Sequence, residues 1–289
     1  MKVRFAAING LRMRYLEASE GNGPPLLLIH PVGYPAEIFA RTLGGISWSV
    51  RLIAPDLPGQ GFSEAPAEWS VAPQVFMARQ VIALADALGI ETFSILGSSL
   101  GGLVAALVAL EAPSRVDNLV LVGTGSVFND PSTQPKVLEA VYANGSRAYR
   151  DPSLETCRDR LSKTCFRAPP AEDILLAQLT AYALPGALET YRAIIDGLIA
   201  SAADPASTAF PRLEALTMRS LVIVGEQDIR TSFEAHRAGC QRMRDARLLR
   251  LPDCGHLPYL EMPDEFNRAV STFLLGSDST FLLGSDSNL

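Results

Sequence analysis

The segment that most limits what this chain can fold into is Leu96-Gly97-Ser98-Ser99-Leu100-Gly101-Gly102. An apolar run over residues 92–96 reads as a buried strand, and residues 101–112 read as a buried helix. Only a sharp turn joins the two. A serine at the tip of such a turn has strained backbone and an exposed hydroxyl, so the residues two positions away on either side must be small. Gly97 and Gly101 meet that need, and Gly102 lets the helix pack closely. The helix N-terminus then points free N–H groups and its positive dipole end at the reacting oxygen. Ser99 is therefore the candidate nucleophile, with the Leu100 N–H as one oxyanion donor. Ser98 sits off the tip and reads as a supporting group. The bare Gly-x-Ser-x-Gly pattern is common by chance, and its strand and helix flanks give it meaning.

The rest of the chain supplies a sheet for that turn. Residues 3–8 and 11–17 flank Asn9-Gly10, a strong hairpin signal. Strands are expected over 26–30, 51–55, 92–96, 118–122, 220–224 and 247–251, and helices over 73–88, 101–112, 233–243 and 264–274. Alternation of this kind predicts an α/β fold with a mostly parallel sheet and helices on both faces. Residues 130–207 contain no convincing strand and are broken by prolines. They read as short helices forming a lid-like insertion. The expected organisation is a core over 1–127, a helical insertion over 128–210, a second core part over 211–276, and a tail over 277–289. The octapeptide at 271–278 (STFLLGSD) recurs at 279–286. The first copy completes the last helix, and the second reads as a loosely held duplicate.

A nucleophilic serine needs a base, and the chain has three histidines. His236 lies in a polar helical stretch and reads as solvated. His30 ends a buried strand. His256 follows the last strand, on a loop at the end of the sheet where ligands bind in open α/β folds. It also comes last in the order serine, acid, histidine. The acid should follow the preceding strand, where the chain reads Gly225-Glu226-Gln227-Asp228. Asp228 is the leading candidate and Glu226 its rival. Asp253 is too near His256 in sequence to reach round the ring.

A net charge of −6 and a pI near 5.2 give no footprint for nucleic acid. No apolar segment reaches the ~18 residues of a membrane span, and the N-terminal residues lack an apolar signal core. The chain is thus expected to be soluble and cytoplasmic, without nucleic-acid or membrane partners. Its four cysteines make no Cys-x-x-Cys pair and read as buried, reduced thiols. The expected partner is a small-molecule substrate, with a homodimer left open, and no metal or cofactor is called for.

With these residues in place the chain resembles the α/β-hydrolase superfamily over nearly its whole length. His30-Pro31-Val32-Gly33 is similar to the family's oxyanion loop, with Pro31 in place of a glycine. The resemblance makes the Val32 N–H the second oxyanion donor and His30 a brace for the loop. Residues 56–63 (DLPGQGFS) resemble the turn below the site, and His256 with Glu261, Pro263 and Phe266 resembles the histidine loop. Residues 149–160 (YRDPSLETCRDR), 170–176 (PAEDILL) and 264–274 (DEFNRAVSTFL) look most like the meta-cleavage product hydrolases. Those enzymes cleave carbon–carbon bonds in vinylogous diketones, and related esterases share their scaffold. Three positions depart from that group. Ser98 replaces its usual Asn, Leu257 its usual Trp, and Gln178 the lid arginine that grips the substrate carboxylate.

The expected chemistry is acyl transfer to water through a Ser99–His256–Asp228 triad, on a carboxylic ester or lactone. Carbon–carbon cleavage is the alternative, with Arg41, Arg167 or Arg192 as replacements for the missing charge. A non-catalytic binding relative is a second alternative, and a perhydrolase or oxygenase on the same scaffold a further one. Dehalogenases and epoxide hydrolases, which resemble this fold but carry Asp at the turn, are disfavoured by Ser99. Gly33, Ser98, Arg41, Phe128, Gln178 and Leu257 are the expected substrate contacts. Val127, Phe128, Leu138, Tyr142, Leu179, Tyr182 and Leu184 are candidates for an apolar pocket.

Overall fold

A computed structural model describes residues 1–18, 24–46, 50–167 and 172–276. The second octapeptide copy lies outside the described residues. The chain opens with strands β1 (Lys2–Ile8) and β2 (Leu11–Ala18), joined through Asn9 and Gly10 at φ 49° and 85°. Left-handed backbone at both turn positions matches the right-handed twist of the paired strands. β3 (Leu26–Ile29), β4 (Leu52–Pro55), β5 (Phe93–Ser98), β6 (Val116–Val122), β7 (Arg219–Gly225) and β8 (Ala246–Leu251) complete an eight-stranded sheet. Its order is β1-β2-β4-β3-β5-β6-β7-β8; β2 runs antiparallel to β1 and β4, and the rest are parallel. The central strands are continuous apolar runs because both faces are covered.

Helices α1 (Ala40–Gly45), α2 (Pro73–Ala87) and α3 (Leu100–Glu111) precede β6. Between β6 and β7 come α4 (Gly125–Phe128), α5 (Gln134–Arg150), α6 (Leu154–Ser162), α7 (Glu172–Tyr182) and α8 (Ala187–Ala200), with no strand among the described residues. After β7 come α9 (Phe233–Arg242), α10 (Pro258–Glu261) and α11 (Pro263–Leu275). α11 ends at Gly276, whose φ of 67° caps the helix within the first octapeptide copy. No helix among the described residues is long and apolar enough to cross a membrane.

Two apolar cores lie on opposite faces of the sheet. α2 and α3 fill one, joined by Tyr191, Ile194, Ile195 and Leu198 of α8. α1, α10 and α11 fill the other, joined by Cys157 and Leu161 of α6 and by Ile174, Leu175 and Tyr182 of α7. The inserted helices therefore share both cores with the sheet. The four cysteines are buried free thiols, and burial pushes Cys157 up to about 11. His236 departs from the sequence expectation. It is fully buried, its ring packs 4.8 Å from that of Phe128, and its Nδ1 donates to the Ser232 carbonyl at 2.7 Å. Gly239, one turn on, supplies the room: a Cβ there would meet Phe128 Cδ1 at 2.2 Å.

Candidate active site

Ser99 is the single residue between β5 and α3, at φ 53° and ψ −117°. Such backbone costs a non-glycine residue of order 1–3 kcal/mol and persists only where its surroundings hold it. Ser99 N donates to Val122 O at 3.0 Å. Ser99 O accepts from Thr124 Oγ1 at 2.9 Å and Ser126 Oγ at 3.3 Å. A Cβ at Gly97 would lie 2.1 Å from Gly101 O, and one at Gly101 2.1 Å from Ile29 O. Both glycines are thus required by space.

His256 and Asp228 arrive on the loops after β8 and β7. His256 Nδ1 lies 2.8 Å from Asp228 Oδ2, which also accepts from Thr231 Oγ1 at 2.8 Å; Asp228 Oδ1 accepts from Arg230 N at 2.8 Å. Burial works to raise the Asp228 pKa, but His256 and these donors outweigh it and hold the carboxyl below its ordinary value. Glu226 instead pairs with Arg250 at 2.6 Å on the surface. The histidine loop is tied down by Glu261, whose carboxylate accepts from the backbone of Gly255, Leu257, Phe166 and Arg167 at 2.7–3.2 Å.

On the opposite side lies Pro31-Val32-Gly33. His30 Nδ1 donates to Pro31 O at 2.8 Å, and His30 Nε2 accepts from Leu57 N at 2.9 Å. Burial lowers the His30 pKa to about 4, so the ring is neutral with its proton on Nδ1. Gly33 N donates to Gln60 Oε1 at 2.5 Å. Below, the buried Asp56 accepts from Ala36 N, Phe62 N and Arg14 Nη1 at 2.7–2.9 Å, holding the 56–63 turn.

Ser99, Val32 and His256 line two adjoining cavities. The larger, about 720 Å³ including its mouth, takes Leu100, Leu103, Val137, Leu138, Val141 and Leu198 as its apolar wall. The smaller, about 300 Å³ including its mouth, is lined by Tyr34, Asn144, Arg160, Thr164 and Arg230 among others. Arg230 borders both, its buried Nε has no hydrogen-bond partner, and it forms no ion pair among the described residues. Among the described residues no three His, Cys, Asp or Glu side chains converge as a metal-ligand set.

None of the six expected substrate contacts lines either cavity. Ser98 is buried and accepts from Tyr259 OH at 3.1 Å. Gly33 turns its carbonyl to Arg160 and Tyr182. Phe128 packs on His236, and Leu257 is buried in the α10–α11 core. Gln178 is fully buried, with its Oε1 3.4 Å from Tyr182 OH. Arg41 pairs with Asp173 on the surface. The other suggested cations are also occupied: Arg167 on Asp253 O and Arg192 on Asp196. Of the apolar pocket candidates only Leu138 faces the larger cavity. Val127 is core, Tyr142 stacks on Tyr191, and Leu184 is exposed. Arg230 and Arg160 are the residues the sequence reading missed. Arg230 could have been found from its place two residues after the acid, on a loop that must border the site.

A profile of the alpha/beta hydrolase fold matches residues 24–263. The chain is 31% identical over 264 residues to a 2-hydroxymuconate semialdehyde hydrolase of Pseudomonas putida, covering 90% of each. It is 31% identical over 265 residues to a 2-hydroxy-6-oxo-6-phenylhexa-2,4-dienoate hydrolase of Burkholderia cepacia, covering 88% of each. A meta-cleavage product hydrolase from Pseudomonas fluorescens IP01 superposes with a TM-score of 0.78 at 25% identity, covering 95% of this chain and 98% of the other. The chain belongs to the α/β-hydrolase family and is an enzyme of that class, with carbon–carbon bond hydrolases among its relatives. The fold itself extends to a thermophilic esterase from Thermogutta terrifontis, with a TM-score of 0.75 at 22% identity and coverage of 96% and 99%.

Proposed function

We propose that the chain hydrolyses a small carbonyl compound carrying an apolar acyl group at one end and a carboxylate at the other, with a vinylogous diketone as the leading substrate class. The observation that carries this reading is the meeting of an apolar and a cationic cavity at Ser99 and His256. The acyl group occupies the larger cavity, and the carboxylate approaches the Arg230 side chain, which borders both cavities and forms no ion pair among the described residues. The relatives named for dienoate and semialdehyde substrates support the same choice.

In this mechanism His256 takes the proton of Ser99 Oγ as the oxygen attacks the ketone carbon, and Asp228 holds the imidazole in the required tautomer. The Val32 and Leu100 N–H groups receive the oxyanion. Collapse of the tetrahedral adduct breaks the carbon–carbon bond, and its electron pair passes into the conjugated enolate. The enolate takes the proton from His256, and water, deprotonated by His256, releases the acyl group from Ser99. Before attack, His256 helps the dienol tautomerise to the ketone. The helices between β6 and β7 serve as the lid that sets acyl size, corresponding to the insertion over 128–210.

Ester or lactone hydrolysis uses the same steps with an alkoxide leaving group. Ser98 and Leu257, where meta-cleavage hydrolases resemble one another in carrying Asn and Trp, favour that second reading. Comparing kcat/KM for a ring-fission diketone with that for short p-nitrophenyl esters separates them. A diketone preference of several decades, abolished in Ser99→Ala, is the expected result. The reverse preference makes the chain an esterase. Tight binding without turnover of either class overturns the hydrolytic reading.

A further inference from the structure

We infer that Arg160 is a positioning residue that makes the oxyanion loop depend on the docking of helix α6. The inference rests on the proposed hydrolytic role of Ser99 and adds to it a requirement from the inserted helices. The local sequence first fixes where the side chain points. Ser153 and Thr156 form a capping box, with Ser153 Oγ accepting from Thr156 N and Thr156 Oγ1 from Ser153 N, both at 3.1 Å. That box sets the start of α6, and Arg160 follows one turn after Thr156, 3% exposed.

The guanidinium donates to two main-chain oxygens and one hydroxyl. Arg160 Nη2 donates to Val32 O at 3.1 Å, and Nη1 donates to Gly33 O at 3.1 Å and to Tyr182 OH at 2.7 Å. Tyr182 OH and Tyr149 OH also donate to Gly33 O, at 2.7 and 3.3 Å. Two consecutive carbonyls of the loop are thus gripped from the insertion. On the other side His30 holds Pro31 O, the carbonyl of the peptide that carries the Val32 N–H. The orientation of that N–H is therefore determined from both flanks.

The charge itself is unusual in its setting. Arg160 forms no ion pair among the described residues, and ring centroids of Tyr34, Tyr182, Tyr191 and Tyr149 stand 4.4–5.7 Å from its Cζ. Burying a charge without a counter-ion is costly, and an apolar side chain could fill the same space. What only a planar, forked cation supplies here is simultaneous donation to two carbonyls and a positive field beside Ser99, with which it shares the smaller cavity. Gly33 completes the fit: its φ is 72°, and a Cβ would lie 2.7 Å from Arg160 Nη2.

The test uses the full chain with Arg160→Met, Arg160→Lys and Tyr182→Phe. Thermal melts are run beside kcat and KM on a neutral p-nitrophenyl ester, and beside inhibition by a neutral trifluoromethyl ketone, whose Ser99 adduct places an oxyanion in the hole. In Arg160→Met, kcat and trifluoromethyl ketone affinity should fall together by roughly 10²–10³-fold, the scale of a lost oxyanion donor, with KM nearly unchanged. Arg160→Lys should recover part of both. Tyr182→Phe, which keeps the ring and removes one grip on Gly33 O, should lose about 10-fold in both and remains informative if Arg160→Met does not fold. Folded variants with unaltered kcat overturn the inference. So does a loss confined to KM for carboxylate-bearing substrates, which would make Arg160 a substrate anchor. A wild-type chain inactive on esters and diketones alike overturns the hydrolytic reading and this inference together, whereas an active wild type with an unaffected Arg160→Met overturns only the inference.

Discussion

His256 Nδ1 and Asp228 Oδ2 stand 2.8 Å apart, and the same carboxylate oxygen accepts from Thr231 Oγ1. The second acceptor, Oδ1, is engaged by Arg230 N. An acceptor held at this place keeps the imidazole proton on Nδ1 and leaves Nε2 free to act as a base. Asp228→Asn keeps the shape but can offer Nδ1 an amide donor, which favours the wrong tautomer. The expected outcome is a fall in kcat of about 10⁴-fold with the melting temperature little changed. Steady-state kinetics beside a thermal melt check it; a kcat within 10-fold of wild type would remove Asp228 from the proposed triad.

Arg230 carries the next prediction. If its guanidinium receives the substrate's carboxylate, Arg230→Met should raise KM for carboxylate-bearing substrates by about 10–100-fold. That is the range of a charge-assisted hydrogen bond worth ~1.5–3 kcal/mol. A neutral ester of similar size should show little change in KM. Equal losses on both substrates would mean that Arg230 acts through Asp228, whose Oδ1 its backbone holds, and not on the carboxylate.

Much of this molecule was legible locally. Asn9-Gly10 gives the hairpin because only left-handed backbone at both positions closes it. The strand runs give the sheet because parallel strands are buried on both faces, and the loops after β5 and β8 bring Ser99 and His256 to one cavity, with Asp228 from the loop after β7 on the imidazole. The substrate cavity was not legible, for a physical reason. The inserted helices bury residues against both cores, so an apolar residue such as Tyr182 or Val127 reads the same whether it packs or lines a pocket. Gln178 falls where a substrate-gripping arginine was expected, yet it lies buried beside Tyr182. His236 misled because α9 buries a face made of His236, Gly239 and Cys240, which carries almost no apolar stripe.

The His30 brace makes stability depend on pH. Its Nε2 must accept from Leu57 N, so the folded state needs the neutral ring. Burial lowers its pKa to about 4, against an ordinary value near 6.5. The unfolded chain therefore binds the extra proton first as pH falls, and unfolding free energy rises with pH between the two values. The contribution is fully present above pH ~6.5 and is lost progressively toward pH ~4, an effect of up to about 3 kcal/mol. Urea midpoints at pH 7.5, 6 and 5 should decline for the wild type, and His30→Asn, though less stable, should show a shallower decline. Parallel pH slopes for the two proteins would assign the acid sensitivity elsewhere.

The apolar cavity should meter the acyl group. Leu198 of α8 lines it and is 4% exposed, whereas Ala202, also on its wall, lies just beyond the helix end and is half-buried. Ala202→Phe places bulk in the cavity without emptying a core position. It should leave acetyl transfer intact and reduce kcat/KM for an octanoyl ester by roughly 10–100-fold, since each methylene denied burial forfeits about 0.8 kcal/mol. Leu198→Ala acts in the opposite direction, extending the accepted chain by two or three carbons while lowering stability by ~2–4 kcal/mol through the space it leaves. A chain-length series on p-nitrophenyl esters reads both at once. If neither variant shifts the preferred length, the acyl group does not bind against α8, and the larger cavity must be reassigned to the leaving group.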